Sequence, residues 1–213
     1  MAFPDFTSAT TFPAFESCPL FEEPASDPNE NYFLLGTIME NMTLTPITPT
    51  FICKDRNGAS FAVTLKLRGS QENMFHSGSP KGKNSFGKGK TVVVKNARRK
   101  GSRKEDASLG QKEKKGFVEI GWEVEGSEGV QIIPTKLEKL IEMSENRKST
   151  FAGTKTCQGC RKVEKEGGEK MVRCKGCENV WYCGKDCQVK GWSGGHKSEC
   201  KILRSANDAF GDL

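Results

Sequence analysis

Eight cysteine and histidine residues near the C-terminal end of the chain stand at spacings that can hold metal. They come in four pairs: Cys157/Cys160, Cys174/Cys177, Cys183/Cys187 and His196/Cys200. Zinc takes four thiolate or imidazole ligands in a tetrahedron, so eight ligands mean two ions. Seven of the nine cysteines fall in this stretch, which is far from a chance distribution. With every position filled by protein, neither ion keeps a place for water or substrate, and the expected metals are structural. Disulfides are the competing use of so many thiols, but they belong to secreted chains. The N-terminus, Met-Ala-Phe-Pro-Asp-Phe, has neither the basic start nor the unbroken apolar core of a secretory signal.

The first two pairs are C-x2-C knuckles, in which a tight turn brings two thiolates to one ion. The last two pairs are four residues apart, a spacing that places both ligands on one face of a helical turn. Two divisions satisfy the spacing. In the sequential one, pairs one and two share an ion, as do pairs three and four. In the interleaved one, Cys157, Cys160, Cys183 and Cys187 form one site, and Cys174, Cys177, His196 and Cys200 form the other.

The run from Cys174 to Cys200, with Tyr182-Cys183, Cys187-Gln188, Trp192 and His196-x3-Cys200, closely resembles a MYND-type zinc finger. That resemblance implies the interleaved division and a role in binding another protein. It covers roughly 45 of the 213 residues. The 13-residue spacer between Cys160 and Cys174, with Gly167-Gly168 inside, is longer than the pattern leads one to expect.

Ionising seven thiols and adding two dications lowers the formal charge from +6 to about +3. Lys155, Arg161, Lys162, Lys175, Lys185, Lys190 and Lys197 surround the ligands in sequence. They either screen thiolate charge or grip an acidic partner. Trp181, Tyr182 and Trp192 are expected to plug the core over the metals, with a docking groove beside Trp192 as the alternative.

The elements ahead of the ligands read as a small domain over residues 31–143. Tyr32–Met39 and Phe51–Cys53 are short apolar runs, and Asp55-Arg56-Asn57-Gly58 contains the Asn-Gly of a tight hairpin. Phe61, Val63, Leu65 and Leu67 alternate with polar or small residues, as in a strand with one buried face. Thr91–Val94, Val118–Val124 and Gly129–Pro134 supply further strands. Thr135 is placed to cap a helix with Leu137, Leu140 and Ile141 on one face. The expected fold class is α+β: a small antiparallel barrel or sandwich followed by the finger. Gly36 in the first strand, the Asp-x-x-Gly turn and the Lys-Gly-Lys-Thr-Val-Val-Val run resemble an OB-fold.

Residues 1–30 carry six acidic residues, no Lys or Arg, five prolines and five phenylalanines. No helical or strand period survives that many prolines, so a disordered acidic tail is expected, passive or folded back on basic residues. Residues 68–90 read as a mobile loop. From Lys81 to Lys115 there are thirteen basic residues against three acidic ones; within this loop, residues 95–115 are the most basic. Arg99-Lys100 and Lys112–Lys115 resemble a two-part nuclear-import signal. Residues 144–156 read as a polar linker and 201–213 as a tail. Cys18 and Cys53 are spare thiols, with Cys53 buried in a strand.

The functional expectation is a non-enzymatic adaptor that binds another protein through the zinc finger, inside the cell, in nucleus or cytoplasm. No apolar run reaches the ~18 residues of a membrane helix. The alternative is a nucleic-acid-binding or transcription-associated regulator using the basic loop. An OB-fold would present that loop to oligonucleotides, but the outward residues of the third strand (Ser60, Ala62, Thr64, Lys66) supply no ring for base stacking. A lysine methyltransferase relative is the remaining reading. No nucleophile, base and orienting group can be assembled for it, and His76 stands alone.

Overall fold

The alternation around Phe61, Val63 and Leu65 is a strand in the computed structural model of the chain, which describes residues 3–23, 31–45, 47–66, 86–101, 116–121, 129–150, 155–165, 167 and 170–211. Seven strands form one sheet: β1 (Phe33–Asn41), β2 (Thr50–Lys54), β3 (Ser60–Leu65), β4 (Thr91–Lys95), β5 (Arg99–Lys100), β6 (Phe117–Ile120) and β7 (Val130–Ile133). Their order is β5-β6-β3-β2-β1-β4-β7. β1 lies between β4, paired through Phe33–Thr37, and β2, paired through Thr37–Asn41. Its register shifts between Ile38 and Glu40, the kind of bulge that bends a strand from one partner toward another. The Asp55–Gly58 turn joins β2 to β3, with Gly58 at φ 80°, where a glycine is cheapest.

The chain divides into two units, one of Ser8–Glu138 and one of Met1–Thr7 with Lys139–Leu213. The core of the first gathers Leu34, Ile38, Phe51, Phe61, Val63, Val94 and Val118. Each such side chain taken out of water stabilises the fold by about 1.5–3 kcal/mol. Cys53 and Cys18 are both buried there, and burial pushes each thiol up to about 12. They are inert at neutral pH.

The α+β class is as expected, but the sheet differs from a wholly antiparallel, closed form of the expected barrel or sandwich in two ways. β3 and β6 run parallel, because the chain passes through β4 and β5 before returning beside β3. β5 and β7 end the strand order, and no ladder joins them among the described residues.

The acidic tail is not a passive one. Phe6, Phe12 and Phe15 are buried, although residues 3–14 form no regular element. In the first unit, Phe15 stacks on Phe61 with ring centroids 4.9 Å apart, and its N–H donates to Asp55 Oδ2 at 2.9 Å. Leu20 makes a parallel bridge to Arg99, and Arg99 Nε donates to the Cys18 carbonyl at 2.8 Å. Residues 18–21 thus line the outer edge of β5. Missing periodicity hid this segment, since irregular chain can dock one ring at a time. Residues 24–30 lie outside the described part.

Phe86, at the end of the stretch read as a mobile loop, is buried and stacks on Phe51 at 4.7 Å. Leu67, Trp122, Val124, His76 and residues 102–115 lie outside the described residues, as does most of the loop.

Helix α1 (Leu137–Thr150) is not capped by Thr135. The Leu137 N–H donates to Thr37 Oγ1 of β1 at 3.0 Å, so a neighbouring strand supplies the acceptor that a local cap would. The helix also runs through the first half of the expected 144–156 linker. Its polar residues have partners inside the second unit: Ser144 Oγ accepts from the Phe6 N–H at 3.2 Å and donates to the Pro4 carbonyl at 3.0 Å. Arg147 pairs with Glu199 at 3.4 Å and lies over the Phe3 ring.

The remainder of the second unit is a two-stranded sheet, β8 (Val172–Arg173) with β9 (Trp181–Tyr182), then α2 (Lys185–Gly191), a widened turn (Trp192–His196) broken at Gly195, and α3 (Lys197–Phe210). Residues 201–210, expected as tail, continue α3 and bury Leu203, Ala206 and Phe210.

Candidate metal centre

The first knuckle docks beside β9. Gln158 N–H donates to the Trp181 carbonyl at 2.8 Å, and Cys157 N–H to the Lys162 carbonyl at 2.8 Å. The second knuckle closes on itself: Cys174 N–H donates to Val180 O, and Glu178 N–H to Cys174 O, both at 2.8 Å. In each knuckle the residue after the second cysteine turns left-handed, Arg161 at φ 63° and Glu178 at φ 58°. The longer spacer after Cys160 is pinned as well. Glu164 accepts from the Met171 N–H at 2.9 Å and pairs with Lys155 at 2.7 Å.

These turns bring the eight ligands into two clusters, Cys157/Cys160/Cys183/Cys187 and Cys174/Cys177/His196/Cys200, with the donor atoms of each within 4.8 Å of one another. This is the interleaved division. Cys187 lies in α2 and Cys200 in α3, while Cys183 stands ahead of its helix and His196 at the end of the widened turn. The third pair therefore spans a helix start across the extended Gly184, while His196, at φ −59° and ψ −29°, runs straight into the helix of Cys200 as the spacing predicts.

The donor geometry fits zinc. A tetrahedron with bonds of about 2.3 Å to sulfur has an edge of about 3.8 Å. Cys160 Sγ and Cys183 Sγ are 3.5 Å apart, and Cys174 Sγ and Cys200 Sγ 3.8 Å. His196 turns Nε2 into the second cluster, 3.6 Å from Cys177 Sγ and 3.2 Å from Cys174 Sγ. Burial pushes the His196 pKa down, which keeps the imidazole neutral and able to ligate. The two clusters fit two zinc sites.

Two knuckle glycines make room for the partner ligands. A Cβ on Gly159 would lie 2.4 Å from the Cys187 carbonyl oxygen, and one on Gly176 would lie 2.9 Å from Cys200 Sγ. Only a residue without a side chain lets the third ligand pair reach the first knuckle, and the fourth reach the second.

One thiol per site is prepared for ionisation. Burial raises the Cys157 thiol, but N–H groups of Cys160, Cys183 and Gly159 outweigh it and bring the pKa to about 6. Cys174 is likewise raised by burial and lowered further by N–H groups of Cys177 and Gly176. Backbone donors thus do what was expected of nearby lysines. Cys177, by contrast, is pushed up to about 12, chiefly by burial, so a metal must displace its proton.

The three aromatic residues separate. Tyr182 is fully buried and meets the His196 ring edge-on at 6.0 Å. Trp181 is partly buried beneath Arg173 and Lys155. Trp192 covers the His196 ring edge-on at 5.7 Å but is not buried as expected: it is 40% exposed. It lines a groove of about 490 Å³ with Val172, Lys175, Lys185 and Gln188.

Of the basic stretch 95–115, Arg98, Arg99 and Lys100 are occupied within the chain, while Lys95 is exposed. Arg98 bonds the Leu20 and Glu23 carbonyls. Lys100 pairs with Glu119 at 2.8 Å and covers the Phe21 ring. The other half of the import-like pattern, Lys112–Lys115, lies outside the described residues. Sequence reading also passed over Asn207 and Asn179, whose side chains support the second knuckle; ordinary helix and loop asparagines give no signal of that.

Residues 157–200 match the MYND finger family. The chain is 37% identical over 101 residues to a SET and MYND domain-containing protein of Dictyostelium discoideum, covering 43% of this chain and 18% of that protein. It is 40% identical over 58 residues to the histone-lysine N-methyltransferase SMYD3 of Homo sapiens, 25% of this chain and 13% of the relative. It is 40% identical over 47 residues to the histone-lysine N-methyltransferase ASHR1 of Arabidopsis thaliana, 22% of this chain and 8% of the relative. The chain thus spans less than a fifth of the length of these curated relatives. No solved structure matches it. The C-terminal segment is a MYND-type zinc finger, and no helix among the described residues is long and apolar enough to cross a membrane.

Proposed function

We propose that the chain is a non-enzymatic adaptor whose two-zinc finger holds out a docking surface for another protein. The observation that carries this reading is the groove beside Trp192, an exposed indole on a module whose Tyr182 is fully buried and whose Trp181 is partly so. Zinc supplies the folding free energy of such a small module. Its own residues then fix the groove between β8 and α2. The expected placement, nucleus or cytoplasm, rests on thiolate ligands that need a reducing compartment.

The β unit is read as an OB-like barrel left partly open. Parallel pairing of β3 with β6 supports this. So does the succession of β4 and β5 after only three residues, one bent strand that reaches β1 at one end and β6 at the other. Oligonucleotide binding by this unit would have to use cations other than Arg98, Arg99 and Lys100, which are held within the chain.

The test is a peptide display library panned on the zinc-loaded full chain, with the chelated chain as control. Zinc-dependent enrichment of peptides supports the adaptor. No enrichment, or enrichment that survives chelation, removes it. A second reading is favoured by the relatives named as histone-lysine N-methyltransferases: the chain then belongs to a methyl-transfer system. Methyl transfer to histone by the full chain supports that reading, and a null assay at high enzyme concentration speaks against it.

A further inference from the structure

We propose that the groove beside Trp192 selects an extended acidic segment, one apolar anchor flanked by carboxylates. The inference rests on the reading of the finger as a protein-docking module and adds the chemistry of its partner.

The groove lies among β8, the second knuckle, α2 and Trp192, with the second metal cluster's Cys174 and Cys200 in its lining. Its apolar surface comes from Trp192 and from Val172, whose side chain is also exposed. β8 pairs with β9 along one edge, and no ladder covers its other edge among the described residues. An extended peptide can add to such an edge through main-chain hydrogen bonds while its side chains enter the pocket.

Charge decides what flanks the anchor. Three cations line the groove, Arg173, Lys175 and Lys185, and no carboxylate does. A zinc held by three thiolates and a neutral imidazole carries a formal charge of about −1. Screening of metal charge therefore accounts for about one of the three cations and leaves a surplus of about two. Arg173 is held over the Trp181 ring at 4.5 Å. Lys175 and Lys185 make no ion pair among the described residues. A surplus of unpaired positive charge around an apolar patch steers and orients an acidic partner. A single-stranded nucleic acid would also meet positive charge, but it would find one exposed ring where such strands use several.

The experiment titrates the zinc-loaded full chain, by calorimetry at low and high salt, with three probes, and adds a lysine-flanked twin peptide for the charge-reversed variant. The three are a ten-residue peptide with a central leucine flanked by glutamates and aspartates, the same peptide with glutamines and asparagines, and a ten-nucleotide poly-dT strand. The acidic peptide should bind about tenfold tighter than its amide twin at low salt, with the difference shrinking as salt rises. In K175E/K185E, with two zincs verified by native mass, the acidic peptide should lose that advantage and a lysine-flanked twin should gain it. Trp192→Ala should weaken both peptides alike. Equal binding of acidic and amide peptides overturns the charge inference and leaves the docking module standing. Tighter binding of poly-dT, or binding of neither peptide, overturns the inference, while the library panning decides separately whether the module docks peptides at all.

Discussion

Asn207 Nδ2, on α3, donates to the carbonyl of Cys177 at 2.7 Å. Its Oδ1 accepts from Asn179 Nδ2 at 2.6 Å, so the two asparagines brace the second knuckle from a helix that begins beyond the widened turn. A carbonyl beside a metal ligand is held in place by such bonds, and outer-shell partners of this kind shift metal affinity by tens of fold. Asn207→Ala should leave both zincs bound at neutral pH. It should speed loss of the second site's ion to a chelator about tenfold, read by stopped-flow with a colorimetric chelator. An unchanged two-phase release would show that the bond does not support the ligand.

The glycines of the two knuckles make a site-specific prediction. Gly159→Ala drives a Cβ into the Cys187 carbonyl, and Gly176→Ala drives one toward Cys200 Sγ. The first variant should lose zinc from the four-cysteine site, and the second should weaken the site that contains His196. Gly159→Ala should be the more severe, because its clash is with backbone. Cobalt substitution checks this: ligand-field bands of the site with three sulfurs and one imidazole nitrogen should persist in Gly159→Ala and fade in Gly176→Ala.

Acid should strip the metals. Metal-bound thiolates have depressed pKa values, and Cys157 and Cys174 are already held low by backbone donors. A group whose folded pKa is depressed stabilises above its unfolded value and loses that contribution as pH falls through the folded one. Zinc affinity should therefore be highest above the usual cysteine range, and retention should still be complete at neutral pH. The metals should be lost as acid reaches the depressed thiol pKa values, with net proton release when metal binds at neutral pH. Binding that is flat with pH would mean that the thiols are not the ligands.

Phe15 is a core residue of the β unit despite its place in an irregular acidic stretch. Phe15→Ala should destabilise that unit by about 3–5 kcal/mol, since the ring stacked on Phe61 leaves a cavity. Zinc content should stay at two. A melt indistinguishable from the parent protein would return residues 8–18 to the status of a tail.

What could be read from the chain and what could not follows from the range of each signal. The eight ligands announced themselves by spacing, and Phe61, Val63 and Leu65 by alternation, because both patterns are local. The pairing of ligands was not local: it depends on which segments meet in the fold, and neither Gly159 nor Gly176 shows in sequence which ligand pair will lie against it. The continuation of α1 past Ser144 was hidden because Ser144 and Arg147 have polar partners far away in sequence. Trp192 was expected to be buried with Tyr182; the break at Gly195 (φ 124°) lies in the widened turn that opens with Trp192, whose ring stays half outside.

The interleaved pairing of the ligands is the claim on which the site rests, and a zinc count by native mass spectrometry on two double variants tests it. Cys157→Ser with Cys183→Ser removes two ligands of one cluster and should leave one zinc. Cys157→Ser with Cys174→Ser removes one ligand from each cluster and should leave none. The reverse result, none in the first and one in the second, would contradict the account.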